Sequence, residues 1–251
     1  MFDVVIVDEA TQAIEGECWI TVLKVPKLIL ARDHLQLLLT VKSATSESLY
    51  KSKLVAHNSV AAHVLGDLEH VKSNALTCTP LVRIKTAGCG MAESSEEFDG
   101  ARDREPGING SESKANMGKA QLALTHAERL IATGVSAKDI AVITPYSAQV
   151  RLLKRLMQEH YSDLEIGSVD GFQGCEKEAV ILSMVRSNPN KDAGFLKNYR
   201  HINVAITHAK HHLCIVADSL TASHGNSFLQ ALFMHLKAKA FVCPPTTVNC
   251  C

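Results

Sequence analysis

The chain has 251 residues, and 46% of them are apolar and 21% charged. That balance excludes a disordered or fibrous polypeptide and allows one large domain or two small ones. Lys+Arg and Asp+Glu both number 26, so the net charge is zero; any case for a polyanionic partner rests on local clusters. No apolar run approaches the ~18 residues of a membrane span, and no positively charged segment precedes an apolar core as in a secretory signal. The eight cysteines have no C-x-x-C spacing and sit mostly in apolar segments. They read as free thiols of a reducing compartment, cytoplasm or nucleus, with no disulfide-linked partner.

In chain order, Val4 to Val7 form a short β-branched run that stops on Asp8 and Glu9. This reads as a buried parallel strand with two carboxylates at its tip. Residues 10–23 suit a helix and 27–31 a second strand, so the opening is strand–helix–strand. Residues 59–68 look helical and 81–87 form a strand. Residues 93–119, rich in Gly, Ser, Asp and Glu, read as a long mobile loop. An amphipathic helix over 120–132 ends at Gly134. Strands follow at 140–144, 165–169, 179–185 and 212–217. Helices are expected at 149–160 and 227–239, a short helix or turn at 203–210, and a tail over the last dozen residues. The alternation predicts a doubly wound α/β fold, a parallel sheet flanked by helices, with its sites at the carboxyl ends of the strands.

An acid pair at a strand tip is costly unless a cation or a proton demand offsets it. ATPases use this position, one acid holding Mg²⁺ and the next orienting the attacking water. A helix N-cap role for Asp8 or Glu9 stays open on the pattern alone. Other segments add to it. Arg32-Asp33-His34-Leu35-Gln36-Leu37 follows the second strand, and Thr144-Pro145-Tyr146-Ser147-Ala148-Gln149 follows a later one. Ser168-Val169-Asp170-Gly171-Phe172-Gln173-Gly174-Cys175-Glu176, Val185-Arg186-Ser187-Asn188 and Asn203-Val204-Ala205-Ile206-Thr207-His208-Ala209-Lys210 complete the set. Tyr146 offers a stacking face, although a core tyrosine is the commoner use. Residues 186–212 hold Arg186, Lys191, Lys197, Arg200, Lys210 and four histidines against one acid. A solvated face or a phosphate-tracking edge both fit.

These segments, in this order and spacing, resemble superfamily 1 RNA/DNA helicases of the Upf-like group, of the immunoglobulin mu-binding protein and fungal DNA helicase A type. The resemblance implies a RecA-like P-loop NTPase helicase fold. Residues 1–45 would be a partial first RecA-like domain and 46–77 a shortened connector. Residues 78–222 would be a near-complete second domain with the mobile loop 93–119, and 223–251 a helix and tail. It implies ATP with Mg²⁺ as cofactor and single-stranded RNA or DNA as partner. Asp8, the Mg²⁺ ligand, and Glu9 would be the Walker B acids, with Gln36 sensing the γ-phosphate. Gly174, Glu176, His208 and Lys210 would face the nucleotide. Thr144, Pro145, Tyr146, Gln149, Ser168, Asp170, Arg186 and Asn188 would face the nucleic acid.

The chain also departs from that pattern. It contains no G-x-x-x-x-G-K-[ST] phosphate loop, and only seven residues precede Asp8. The expectation is therefore a chain that starts inside the first domain. Arg32 stands at a glycine position, Leu38-Leu39 at a Pro-Pro, and the Q-Y-R-M-H segment is missing near residues 45–50. Cys175 and His208 replace arginines, the second being the arginine finger, and Lys119 replaces a glutamate of the helix-start motif after Asn116. The expected function is the carboxyl-terminal part of a 5′–3′ helicase, inactive by itself. A non-catalytic nucleic-acid-binding or partner-binding remnant is the alternative.

Overall fold

The computed structural model describes residues 3–7, 23, 25–30, 64–95, 113–157, 161–172, 175–197, 199–224 and 226–245. They belong to two units, residues 1–61 and residues 62–251.

In the first unit, β1 (Val5–Val7) and β2 (Leu28–Leu30) pair in parallel, Val5 opposite Leu28 and Val7 opposite Leu30. Both expected strands are present, each trimmed by a residue or two. The burial expected of β1 is not: Ile6 is 65% and Ile29 51% exposed. The helix expected between them and the residues Asp8, Glu9 and Gln36 lie outside the described residues.

The second unit is built on six parallel strands in the order β5-β4-β6-β7-β3-β8. These are β3 (Leu81–Lys85), β4 (Ile140–Thr144), β5 (Glu165–Ser168), β6 (Lys177–Met184), β7 (Ala209–Ala217) and β8 (Phe241–Cys243). Parallel strands need helical crossovers, and those cover both faces; this is why β4 is buried at all five positions. Side chains alternate between the faces. Val82, Val142, Ile181 and Cys214 join the core under α1 (Met117–Ala132) and α2 (Ser147–Met157). Arg83, between two such positions, points the other way, with its guanidinium 5.3 Å from the Phe233 ring centroid. Phe233 lies on α5 (Ser227–Lys239), which packs against β3. The remaining helices are α3 (Tyr199–Thr207), which packs on β6 and β7, and the short α4 (Ser219–Ala222).

Two helix ends position the site. Asn116 caps α1, accepting from the Lys119 amide at 3.1 Å. At the other end Gly134 N donates to Ile131 O and Val135 N to Leu130 O, a Schellman closure. Gly134 has φ +102°, and a Cβ there would lie 2.3 Å from His70 O, so both backbone conformation and space demand glycine.

Several expectations need correction. Within residues 93–119, Ser94 bridges Ala115 and α1 already begins at Met117. The stretch 59–68 yields only a 3₁₀ turn at Leu65–Asp67 among its described residues. The expected tail contains β8, whose backbone pairs with β3 from Val82 to Ile84. Lys210 lies on β7, not on a helix, because α3 ends at Thr207 and the strand starts at Ala209.

Candidate functional site

The sequence motifs do not share one end of the sheet. β6 and β7 pair from Lys177 opposite Ala209 to Met184 opposite Ala217, with a bulge between Lys177 and Ala179. Eight residues of strand span about 25 Å at ~3.3 Å per residue. Thr144, Pro145, Tyr146, Gln149, Ser168, Asp170, Arg186 and Asn188 all follow from carboxyl ends of strands. Glu176, His208 and Lys210 lie at the amino ends of β6 and β7. The single crevice expected from the strand pattern is therefore two regions at opposite ends. The path of the chain explains this: the connection from Met184 to Ala209, which includes α3, returns the backbone from the carboxyl end to the amino end.

At the carboxyl end, Pro145 stops β4 and Tyr146 O accepts from Val150 N at 3.1 Å, starting α2. Thr144 is fully buried, with no hydrogen-bond partner for its hydroxyl among the described residues. Tyr146 is buried too, its ring edge-on to Phe195 with centroids 6.3 Å apart. Burial pushes its hydroxyl up to about 12, the Arg186 charge opposing. Gln149 is inside the core. Its Oε1 accepts from Asn116 N at 2.7 Å, and its Nε2 donates to Asn116 O at 3.2 Å and to Ser183 Oγ at 3.1 Å. It locks the start of α2 to the start of α1 and to β6.

Beside it, Lys119 is 0% exposed. Its ammonium donates to Met184 O at 2.9 Å, Val185 O at 3.2 Å and Arg186 O at 2.8 Å, the three carbonyls that leave the end of β6. Burial pushes this amine down to about 8, with Asp218 and Glu93 pulling the other way. Glu93 then organises the following loop. Its carboxylate accepts from Ser187 N at 2.7 Å, pairs with Arg186 Nε at 3.1 Å and meets Asn188 Nδ2 at 3.3 Å. Asp218 accepts from Ser187 Oγ at 2.8 Å and caps α4 through Leu220 N at 2.9 Å. Hydrogen bonds from Ser187, Leu220 and Thr221 hold its pKa below the ordinary carboxylate value against burial.

Arg186 also pairs with Asp192, Nη2 to Oδ2 at 2.9 Å, and Lys197 Nζ reaches Asp192 Oδ1 at 2.9 Å. Asn188 is engaged on both sides: Oδ1 accepts from Asp192 N, and Nδ2 donates to Asp192 O, each at 2.9 Å. At the end of β5, Ser168 Oγ accepts from Gly171 N at 3.2 Å, and Asp170 pairs with His201 Nε2 at 2.9 Å.

At the amino end, Lys177 N donates to His208 O at 3.1 Å, which seats exposed Glu176 beside His208 and Lys210. His208 is buried, its Nδ1 hydrogen-bonded to Val204 O one turn back in its own helix. Lys210 pairs with Glu178 at 3.3 Å, and His211 with the same carboxylate at 2.7 Å. Gln173 and Gly174 lie outside the described residues. Among the described residues no cluster of His, Cys, Asp and Glu is arranged to hold a metal ion.

Sequence reasoning missed Glu93, Lys119, Asp192 and Asp218 as organisers of this end. Lys119 carried a signal, a lysine in an apolar helix stripe just after a cap residue. Glu93 carried none, lying at the edge of a polar stretch.

The comparisons agree with this architecture. A family model described as an AAA domain (AAA_12) matches residues 39–220, and a second, also an AAA domain (AAA_11), matches residues 1–44. The DNA-binding protein SMUBP-2 of Mesocricetus auratus is 42% identical over 92% of this chain and 26% of its own length. The DNA polymerase alpha-associated DNA helicase A of Schizosaccharomyces pombe is 38% identical over 96% of this chain and 41% of its own. The regulator of nonsense transcripts 1 homolog of Neurospora crassa is 32% identical over 85% and 22%. The chain thus spans well under half the length of each. With an AAA_12 match over most of its residues, laid on a parallel six-stranded sheet, this chain belongs to the Upf-like group of superfamily 1 helicases.

Proposed function

We propose that this chain is the carboxyl-terminal part of an ATP-dependent 5′–3′ RNA/DNA helicase, coupling nucleic-acid-stimulated ATP hydrolysis to translocation. The observation that carries the reading is the AAA_12 match over residues 39–220, which holds the motif segments from Thr144 to Lys210, while those of Asp8, Glu9 and Gln36 fall in the AAA_11 match over residues 1–44. In this reading ATP binds with Mg²⁺. Asp8 holds the metal, Glu9 orients the attacking water and Gln36 senses the γ-phosphate. Gly174, Glu176, His208 and Lys210 form the second lobe's nucleotide side. Thr144, Pro145, Tyr146, Gln149, Ser168, Asp170, Arg186 and Asn188 form its side toward single-stranded nucleic acid, in cytoplasm or nucleus. Gln149 and Asn188 act there indirectly, by shaping the backbone that carries Tyr146 and Arg186.

By itself the chain lacks two parts of the chemistry. Its sequence has no P-loop lysine or amide cradle, and His208 stands where an arginine finger is needed. An imidazole whose Nδ1 is bonded to Val204 O offers a phosphate no bidentate guanidinium fork, and loss of such a finger costs about 10³–10⁵ in rate. The test is ATP turnover with and without single-stranded oligonucleotide. We expect none above background, and no change on Glu9→Gln; turnover that Glu9→Gln abolishes would show a working catalytic centre and overturn that expectation.

A further inference from the structure

The 188–197 loop holds an anion seat that is filled from within. Three donors of different kinds converge on the Asp192 carboxylate: Arg186 Nη2 at 2.9 Å, Lys197 Nζ at 2.9 Å and the Gly194 amide at 3.1 Å. The amide is aimed by two left-handed residues, Lys191 at φ +53° and Gly194 at φ +52°. Backbone amides presented this way beside fixed cations are a recurring phosphate-binding geometry. A Cβ at 194 would come within 2.4 Å of Arg186 Nη1, so a side chain there would push the guanidinium from the seat. Phe195, 42% exposed, stands next to the seat, braced edge-on by Tyr146 and by His201 at 4.6 Å. An open aromatic face beside a phosphate site is the pairing that single-stranded nucleic acids use.

The carboxylate lies open to solvent on one side, its side chain 47% exposed, so an incoming anion has a path to the three donors. The loop does not depend on it, because Asn188 grips residue 192 through its backbone N–H and C=O. Arg186 does not depend on it either, being held by Glu93 through its Nε.

We propose that Asp192 sits in the place of a backbone phosphate of single-stranded nucleic acid, an internal competitor that swings out when the strand binds. The inference rests on the reading of this end of the lobe as nucleic-acid-binding. A phosphodiester supplies the same single negative charge and can take all three donors.

The test measures oligonucleotide binding across a salt series for the full chain and for Asp192→Asn, which keeps the shape and removes the charge. We expect affinity about three- to tenfold higher at about 50 mM salt, and a salt slope steeper by about 0.7, one more single-strand phosphate. Lys197→Gln in the Asp192→Asn background should cancel both gains. Asp163→Asn, which removes the same charge from the exposed loop ahead of β5, should change neither. Unchanged or weaker binding by Asp192→Asn, with its thermal transition intact, overturns the proposal while the nucleic-acid reading stands. If neither chain binds oligonucleotide, inorganic phosphate separates the cases. Millimolar phosphate raising the Tm of Asp192→Asn but not of the parent keeps the anion seat and sinks the nucleic-acid reading; no rise in either sinks both.

Discussion

At the scale of the residue, Lys119 is the most demanding side chain in the second unit. A buried ammonium is tolerable only when its three N–H groups are satisfied, and here three consecutive carbonyls do so. Lys119→Met takes this donor from Met184 O and Arg186 O, while Val185 O keeps Asn116 Nδ2 at 3.3 Å, and we expect a loss of about 2–4 kcal/mol at pH 7 in urea unfolding. The pH dependence has a definite sign. The folded-state value of about 8 lies below the ordinary 10.5, so between these values the unfolded chain carries more protons than the folded one. Stability from this group rises with pH through that window, by about 3 kcal/mol, and is lost as pH falls through 8. The advantage of the parent over Lys119→Met should therefore widen from pH 8 to 10; a constant gap would mean that Lys119 keeps an ordinary pKa. The position of Lys119 just after a cap residue was legible in the sequence; its partners were not. The bonds that define the role of Lys119 join positions up to 67 residues apart, and Ser187 meets Glu93 across 94. Local pattern carries no information about such pairs.

At the scale of the element, α1 and β7 are joined through two buried histidines. His126 Nε2 and His212 Nε2 are 2.9 Å apart, and His212 Nδ1 bonds Thr79 O at 2.8 Å. The bond to Thr79 O makes Nδ1 of His212 the donor, so its Nε2 accepts and His126 donates; the pair is neutral. Burial lowers both, His212 to about 4, with Thr79 O opposing, and His126 well below its ordinary value, with the repulsion of His212 and Arg129 added. Below the ordinary 6.5 the unfolded chain takes up protons that the folded one refuses until about 4. Stability is therefore present above 6.5 and lost as pH falls toward 4, about 3 kcal/mol from His212. We expect the urea midpoint to drop over that range, and His212→Gln to lessen the drop by about that amount. The elements themselves were largely legible. β4 (IAVIT), the AVIL stretch of β6 and the LCIVA end of β7 are continuous apolar runs, as burial on both faces of a parallel sheet demands. β8 was not: three residues among cysteines and prolines pair through backbone alone, and backbone pairing leaves no side-chain signature. α1 started early because Asn116, three residues before Lys119, is the cap, while composition drew the eye to the loop before it.

At the scale of the whole molecule, the zero net charge has a local counterpart. The cations of the 186–212 stretch do not form an open positive edge, since Arg186, Lys197 and Lys210 each face an acid. That choice between a solvated face and a phosphate-tracking edge could not be made from residue counts, because three of the four pairing acids (Glu93, Glu178 and Asp170) lie outside the stretch. The second unit contains the entire six-stranded sheet and its core. Residues 62–251 expressed alone should therefore give a cooperative thermal transition followed by circular dichroism; a broad, non-cooperative loss of signal would show that the core needs residues 1–61. The two motif groups occupy the two tips of the β6–β7 pair, which is paired without a break from Ala179 to Met184 and buried over most of its length. Close-packed matter of this kind has little compressibility. What lies between the two motif groups is therefore a stiff strut from Ala179 to Met184, with a joint, the bulge beside Lys177, at its amino tip.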